Sequence, residues 1–319
     1  MTLRRGLLGL LLLLLLVACP FAPGASGQSR RVVVVKSRDL APYNQAAEGL
    51  RKHLLTWDPG LRIEDAQLPQ SEIAEKSFLE NLQKSRPDLI VTVGTQATRA
   101  VSRRVTEIPI VFSLVLMAGD SEALFRKRPE NVSGAAMDVP ISIQFGRMKE
   151  VIPDLKRVGV IYNPKVTGGA IQAAREAARS DGLSLVEIPV STEAQVLREL
   201  EGLKGRVDAL WSVADSTVFT PRSVDTILLL TLRDGIPFVG LSPSFVKAGA
   251  LLSFACDYED VGSQSGEIAV EILKGKAPTD IPIVYPRHVS LFLNLNTARA
   301  IHLEISREIQ AEAQVEFRR

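Results

Sequence analysis

The sequence predicts an α/β protein of two similar lobes, and three observations carry that prediction. Short β-branched runs alternate with amphipathic stretches from Arg31 onward, and the same alternation then occurs a second time. The two passes match in local sequence. The chain has 319 residues, enough for two domains of ordinary size once its N-terminal segment is set aside.

In the first pass Arg30-Arg31 leads into Val32-Val33-Val34-Val35, a buried-strand pattern. Residues 43–56 place Ala46, Leu50 and Leu54 at helical spacing. Ile63 to Leu68 reads as a strand, and residues 71–85 as a helix that Ser71 can cap. Pro87-Asp88 introduces a strand over Leu89 to Val93. Gly94-Thr95-Gln96 opens the next helix, and Ile108 to Phe112 is a fourth strand. An unbroken β-α-β-α-β-α-β order favours a parallel sheet covered on both faces.

The second pass has strands at Val158–Tyr162, Leu185–Val190, Val207–Val213 and Ile236–Val239, with helices over 168–181, 193–203 and 221–234. Pro87-Asp88-Leu89-Ile90 matches Val207-Asp208-Ala209-Leu210, and Ile108-Pro109-Ile110-Val111-Phe112 matches Ile236-Pro237-Phe238-Val239. A duplicated open α/β unit has the carboxyl ends of its strands at one edge of each lobe, where ligands bind. Two such edges face to face make a cleft that a hinge can close.

Beyond Val239 the pieces are too few for a third domain and are expected to return to the two lobes. They comprise a short strand at 249–253, an amphipathic stretch over 258–274, an alternating run over 283–295, and a final helix from Thr297. The expected division is 30–138 for lobe one, completed by about 252–282. Lobe two is expected at 139–251, completed by about 283–311, with 312–319 a charged tail.

The N-terminus predicts export. Arg4 and Arg5 precede an apolar run to Val17, too short for a membrane span and of the length of a signal h-region. Leu16-Val17-Ala18-Cys19 resembles a bacterial lipobox, which implies a signal peptide over 1–18, cleavage before Cys19 and a diacylglyceryl group on its sulfur. An ordinary cut near Ala25 or Ser26 is the alternative. Residues 20–29 read as a flexible Pro/Gly/Ser-rich tether. With Cys19 lipidated, Cys256 has no disulfide partner and is expected to be a buried thiol.

Composition excludes several classes. Net charge is +2 with acids and bases mixed, so there is no basic stripe for nucleic acid. Aromatics make up 5% of the residues, so no stacking platform is evident. His53, His288 and His302 lack metal-ligand spacing. No G-x-S-x-G elbow occurs, because Gly262-Ser263-Gln264-Ser265-Gly266 has the wrong spacing and falls on an expected helix. No Walker A pattern occurs either. The chain therefore reads as a binding protein without cofactor, not an enzyme. A transcription-factor reading fails because a signal peptide, not a helix-turn-helix, precedes the first strand.

Seven segments together resemble one family. They are Pro87–Val91, Ile108–Phe112, Asn131–Gly134, Val158–Asn163, Lys247–Leu251, Ile272–Lys276 and Asp280–Pro282, in register over about residues 31–305. The family is the ABC-transporter substrate-binding lipoproteins that include tryptophan- and tyrosine-type receptors. The resemblance implies a periplasmic-binding-protein type I fold, two Rossmann-like lobes joined by three crossover strands. It also implies a small solute, permease and ATPase partners, and a place outside the cytoplasm. A lipid-tethered sensor serving a kinase ectodomain fits the same residues.

The candidate ligand contacts lie at strand-to-helix corners. Gly94, Thr95 and Gln96 could offer N–H and side-chain donors to a carboxylate, or Thr95 could simply cap its helix. Asp215 and Ser216 form the equivalent corner of lobe two. There the resemblance implies an aspartate that pairs with a ligand amino group, and an N-cap is the alternative. Tyr162 and Asn163 match positions of the family, as does Asp257, which could instead serve the hinge or cap a helix. Two stretches depart from the amino-acid-binding members, Leu116-Met117-Ala118-Gly119-Asp120 and Pro164-Lys165-Val166-Thr167-Gly168-Gly169. The expected ligand is accordingly a small solute, an amino acid or related carboxylate, without further identity.

Overall fold

The computed structural model describes residues 30–116 and 128–316. The signal segment, Cys19, the tether, the stretch 117–120 and the last three residues of the tail lie outside these.

Lobe one is a five-stranded sheet of β1 (Arg31–Lys36), β2 (Arg62–Gln67), β3 (Leu89–Val93), β4 (Ile110–Val115) and β5 (Val132–Ala136). Every pair is parallel, in the order β2-β1-β3-β4-β5. Helices α1 (Ala41–Trp57), α2 (Glu72–Ser85) and α3 (Thr95–Arg104) connect the strands. Strands β3, β4 and β5 are buried along their whole length, which explains their unbroken apolar and small-residue sequences.

Lobe two begins at α4 (Ile141–Val151) and continues through β6 (Arg157–Tyr162), α5 (Pro164–Ser180), β7 (Ser184–Pro189) and α6 (Glu193–Leu200). Then come β8 (Ala209–Trp211), α7 (Pro221–Asp234), β9 (Phe238–Gly240), α8 (Pro243–Ala248) and β10 (Leu252–Cys256). Its parallel core runs β7-β6-β8-β9-β10, the order of lobe one over again. The likeness reaches single atoms. The Arg31 N–H donates to the Asp88 carboxylate at 2.7 Å, and the Arg157 N–H donates to Asp208 at 2.7 Å. The aspartate before the third strand of each lobe thus satisfies an otherwise orphaned donor at the start of the first strand.

The chain crosses between lobes three times. It passes at 137–140 into α4, at Asp257 into α9 (Tyr258–Leu273) of lobe one, and at 285–288 into β11 (Val289–Asn294) of lobe two. Two expectations for these returns are corrected. Leu252–Cys256 does not open the return to lobe one, because it pairs with β9 and, antiparallel, with β11 in the second sheet. The return to lobe two begins later than 283, since the Val284 N–H still donates to the Gly134 carbonyl at 3.1 Å in lobe one. The C-terminal segment also differs from a free charged tail. After α10 (Leu295–Ala300) and α11 (Arg307–Glu312), β12 (Gln314–Glu316) pairs parallel with β11.

Helix α9 lies so close to α1 that small residues are obligatory. A Cβ on Gly49 would run into the Glu259 carbonyl, and one on Gly262 into the Ala46 carbonyl. A Cβ on Gly266 would sit 2.8 Å from the His53 Cβ. The G-S-Q-S-G string that fails as a nucleophile elbow is thus a helix-packing stripe, which lets α9 complete the lobe-one core with Val261, Ile268 and Ile272.

Candidate functional site

A cavity of about 920 Å³ opens between the lobes. Its walls are the carboxyl ends of β4, β8, β9 and β10, one face of α5 from Gly169 to Ser180, and all three crossings. This is where open α/β sheets hold ligands.

Lobe one contributes Leu116, just after a bulge in β4. The register shifts between Ser113 and Val115, and Leu114 takes φ 52°. A left-handed leucine costs roughly 1–2 kcal/mol, and bulges of this kind re-aim the end of a strand. Lobe two contributes Trp211, held from two sides. Its Nε1–H donates to Gln144 Oε1 at 2.8 Å, while Gln144 Nε2 donates to the Val139 carbonyl at 2.8 Å. Phe145 packs edge-on against the indole at 5.1 Å. Phe254 and the crossing residues Tyr258 and Tyr285 complete an aromatic lining.

The charged lining is acidic, Asp138 and Glu176. Burial pushes the Tyr258 and Tyr285 hydroxyls above their usual range, and the Asp138 charge adds to it for Tyr285. Burial likewise pushes the Cys256 thiol up to about 12, so this buried cysteine is a neutral wall group, as expected. The first turn of α4 enters the cavity at Ile141 and Ser142 without a side-chain cap. The first N–H groups of a helix have no intrahelical partner, and among the described residues no side chain caps these.

The hinge is tied to lobe one by charge. Arg287 donates to Asp260 at 2.9 Å and to Glu267 at 2.8 Å, which raises its already high pKa further. The Gln264 amide donates to the Tyr285 carbonyl at 3.0 Å. The third crossing is therefore held against α9 at Tyr285 and at Arg287.

The candidate ligand contacts at the strand-to-helix corners and Asp257 occupy the rim and frame of the cleft, and none of them lines this cavity, whereas Leu116 and Gly169 of the two departing stretches do. Gly94 is the N-cap of α3 at φ 88°, where a Cβ would meet the Tyr43 ring at 2.7 Å. Ser37 Oγ, from the end of β1, accepts the Ala97 N–H at 2.9 Å. Thr95 is half-buried, and exposed Gln96 borders a smaller groove with Gln70 and Arg99.

In lobe two Asp215 is 1% exposed. One of its oxygens accepts the Asn163 N–H and the Thr167 hydroxyl, both at 2.7 Å. The other accepts the N–H groups of Thr217 at 2.9 Å and Val218 at 3.3 Å. Four donors from the chain fill the acceptor sites of a carboxylate, so Asp215 is a strut under the corner. Ser216 beside it is exposed. Asn163 caps α5 through the Lys165 N–H and donates to Thr217 Oγ1 at 2.9 Å. The Tyr162 hydroxyl donates to Glu187 at 2.9 Å, in a cluster that Arg175 holds by two bonds. Asp257 caps α9 by accepting the Asp260 N–H at 3.1 Å and lies between two wall residues at the second crossing.

The aromatic wall is what sequence reasoning missed. Trp211, Phe254, Tyr258 and Tyr285 lie on three different segments and form no motif. The one usable signal is that Tyr258 and Tyr285 flank the lobe changes.

Comparison with known proteins agrees with this architecture. A curated relative, the tyrosine-binding protein of Clostridioides difficile (strain R20291), is 27% identical over 75% of this chain and 70% of its own length. Among solved structures, the ligand-free, open structure of a substrate binding protein with adhesive properties from Clostridium difficile superposes with TM-score 0.74. Its identity is 22%, covering 90% of this chain and 99% of that one. A domain in complex with L-Trp from Streptococcus pneumonia gives TM-score 0.63 at 19% identity, covering 90% and 99%. The fold is that of type I periplasmic binding proteins. Substrate-binding proteins of ABC transporters work outside the cytoplasm and are not enzymes. The family described as ABC transporter substrate binding protein matches residues 58–316, and this chain belongs to that family.

Proposed function

We propose that the protein is the capture component of an ABC importer, tethered outside the cytoplasm through Cys19, and that it takes up a small solute, an amino acid or related carboxylate, between its lobes. The observation that carries this reading is the inter-lobe cavity with its fixed aromatic wall. The indole of Trp211 and the rings of Phe254, Tyr258 and Tyr285 suit an apolar or aromatic side chain. The Asp138 and Glu176 carboxylates suit an ammonium group, and the uncapped first turn of α4 suits a carboxylate. Tyrosine and tryptophan are the first solutes to try, given the relatives named above. In this reading Thr95, Gln96 and Asp257 are rim groups that meet the solute on closure. Tyr162, Asn163 and Asp215 hold the opposite corner in shape, with Ser216 at its surface.

Thermal unfolding of the mature protein with each amino acid in turn tests the proposal. A ligand at one hundred times its Kd adds about 2.7 kcal/mol, a rise in Tm of several degrees. A flat response across amino acids and small organic acids, from a folded protein, removes the solute assignment. Fractionation of cells carrying Cys19→Ser tests the tether, and continued membrane retention removes it.

A further inference from the structure

We propose that the edge of lobe one from which β1 starts is a membrane-contact face, seated on the anionic headgroups of the leaflet that holds the Cys19 anchor. The setting rests on the anchor reading above, while the face itself rests on side chains. The Arg30 guanidinium lies 5.7 Å from the centre of the Trp57 ring, and the Lys274 ammonium lies 5.8 Å from the same ring. Three elements converge there, the start of β1, the last turn of α1 and the C-cap of α9. Arg30 and Lys274 are exposed and Trp57 is half-buried. An indole between two cations on long apolar stems is the composition that settles at headgroup depth.

The same edge carries further basic side chains. Lys84 lies in the last turn of α2 and Arg103 and Arg104 end α3, all exposed and without an ion pair among the described residues, the two arginines also bordering the groove that runs up to Gln96 and Gln70. Several acids along this edge are already engaged. Asp88 accepts the Arg31 N–H, Glu271 pairs with Lys276 at 2.7 Å, and Glu107 pairs with Arg86 at 3.8 Å. Surface cations are drawn to an anionic leaflet, each adding to the attraction.

Chain length supplies the occupant. Residues 20–29 span at most about 35 Å even when fully extended, and they join the anchor to Arg30 at the centre of this face. The leaflet is therefore the surface that this edge meets first. Strands of lobe one run from this edge toward the cleft, so a seated lobe presents its ligand-collecting edge to the solution.

The test uses the mature chain with Cys19→Ser, which carries no acyl group. It is sedimented with vesicles of phosphatidylcholine alone and of phosphatidylcholine with phosphatidylglycerol. Binding is expected only to the anionic vesicles, with release in about 1 M salt, where the Debye length is ~3 Å. The double reversals Arg30→Glu/Lys274→Glu and Arg103→Glu/Arg104→Glu should each weaken it about ten-fold or more. Trp57 and Trp211 are the two tryptophans of the chain, so a Trp211→Phe background isolates Trp57. Its emission should then move to the blue on anionic vesicles. Equal sedimentation with both vesicle types, or an unmoved Trp57 emission, overturns the proposal, and this readout needs no charge reversal to fold. The vesicle assay contains no anchor, so its failure leaves the Cys19 reading standing. Membrane retention of Cys19→Ser in cells would remove that reading and leave the vesicle result intact.

Discussion

The two lobes share their strand order and the aspartate latch at the start of their sheets, yet they part company at the cleft. In lobe one a neutral hydroxyl, Ser37, takes one N–H of α3, and among the described residues no side chain caps Thr95 or Gln96. In lobe two a buried carboxylate, Asp215, gathers four donors from two loops into a closed corner. The duplicated halves have thus kept what builds a sheet and diverged where a solute would be held. Lobe two is the prefabricated jaw, with its indole locked by Gln144. Lobe one is the jaw whose strand-to-helix corner lacks such a carboxylate.

The largest effect separating the lobes concerns the joint that lobe one alone possesses. Gly262→Leu drives a side chain into the α1 backbone and should cost more than about 3 kcal/mol in chemical denaturation. Next come the corners. Asp215→Ala strands two buried hydrogen-bond networks and should cost about 3 kcal/mol, against about 1 kcal/mol for Ser37→Ala. Equal losses would mean that the corners are not different in kind. The latches differ less. Asp208 also pairs with the Arg157 guanidinium at 2.6 Å, so Asp208→Asn should cost about 1–2 kcal/mol and Asp88→Asn less.

The same pair gives a pH signature. Arg157 holds the Asp208 carboxyl below its usual range, and Arg175 does the same for Glu187. A carboxylate with a lowered folded pKa contributes stability fully above its unfolded value, near 4, and loses it as pH falls through the folded value. Asp208→Asn should therefore flatten the stability-versus-pH curve below about pH 4 and leave its neutral slope alone. The smallest change in stability is expected at the open corner. Thr95→Val should stay within about 0.5 kcal/mol of the parent while weakening solute binding about ten-fold. A stability loss without a binding change would make Thr95 a structural residue of the first turn of α3 and nothing more.

Sheet order was legible because each lobe repeats local signals that fix strands without help from afar. The Pro-Asp or Val-Asp step before a buried strand is such a signal, and so is the Ile-Pro step that precedes β4 and β9. Return segments were less legible, since β10 and β11 owe their pairing to each other and not to their own composition. Site residues were half legible. Strand-to-helix corners can be located from glycine and polar residues, but the direction in which a side chain turns depends on partners elsewhere. Asp215 looks like a ligand carboxylate until Asn163 and Thr167, some fifty residues earlier, are seen to claim it. The aromatic wall was invisible for a related reason. Trp211, Phe254, Tyr258 and Tyr285 are neighbours only because three crossings bring two sheets together.

The stripe formed by Gly49, Gly262 and Gly266 has a mechanical corollary. Backbones in direct contact cannot slide past one another without collision, so shear between α9 and α1 is blocked. Whatever rotation shuts the cleft must then be taken up at Asp257, next to the N-cap turn of α9, and at its two sister crossings. Closure of the cleft would then move lobe one as a single plate, with Tyr258 on its leading edge.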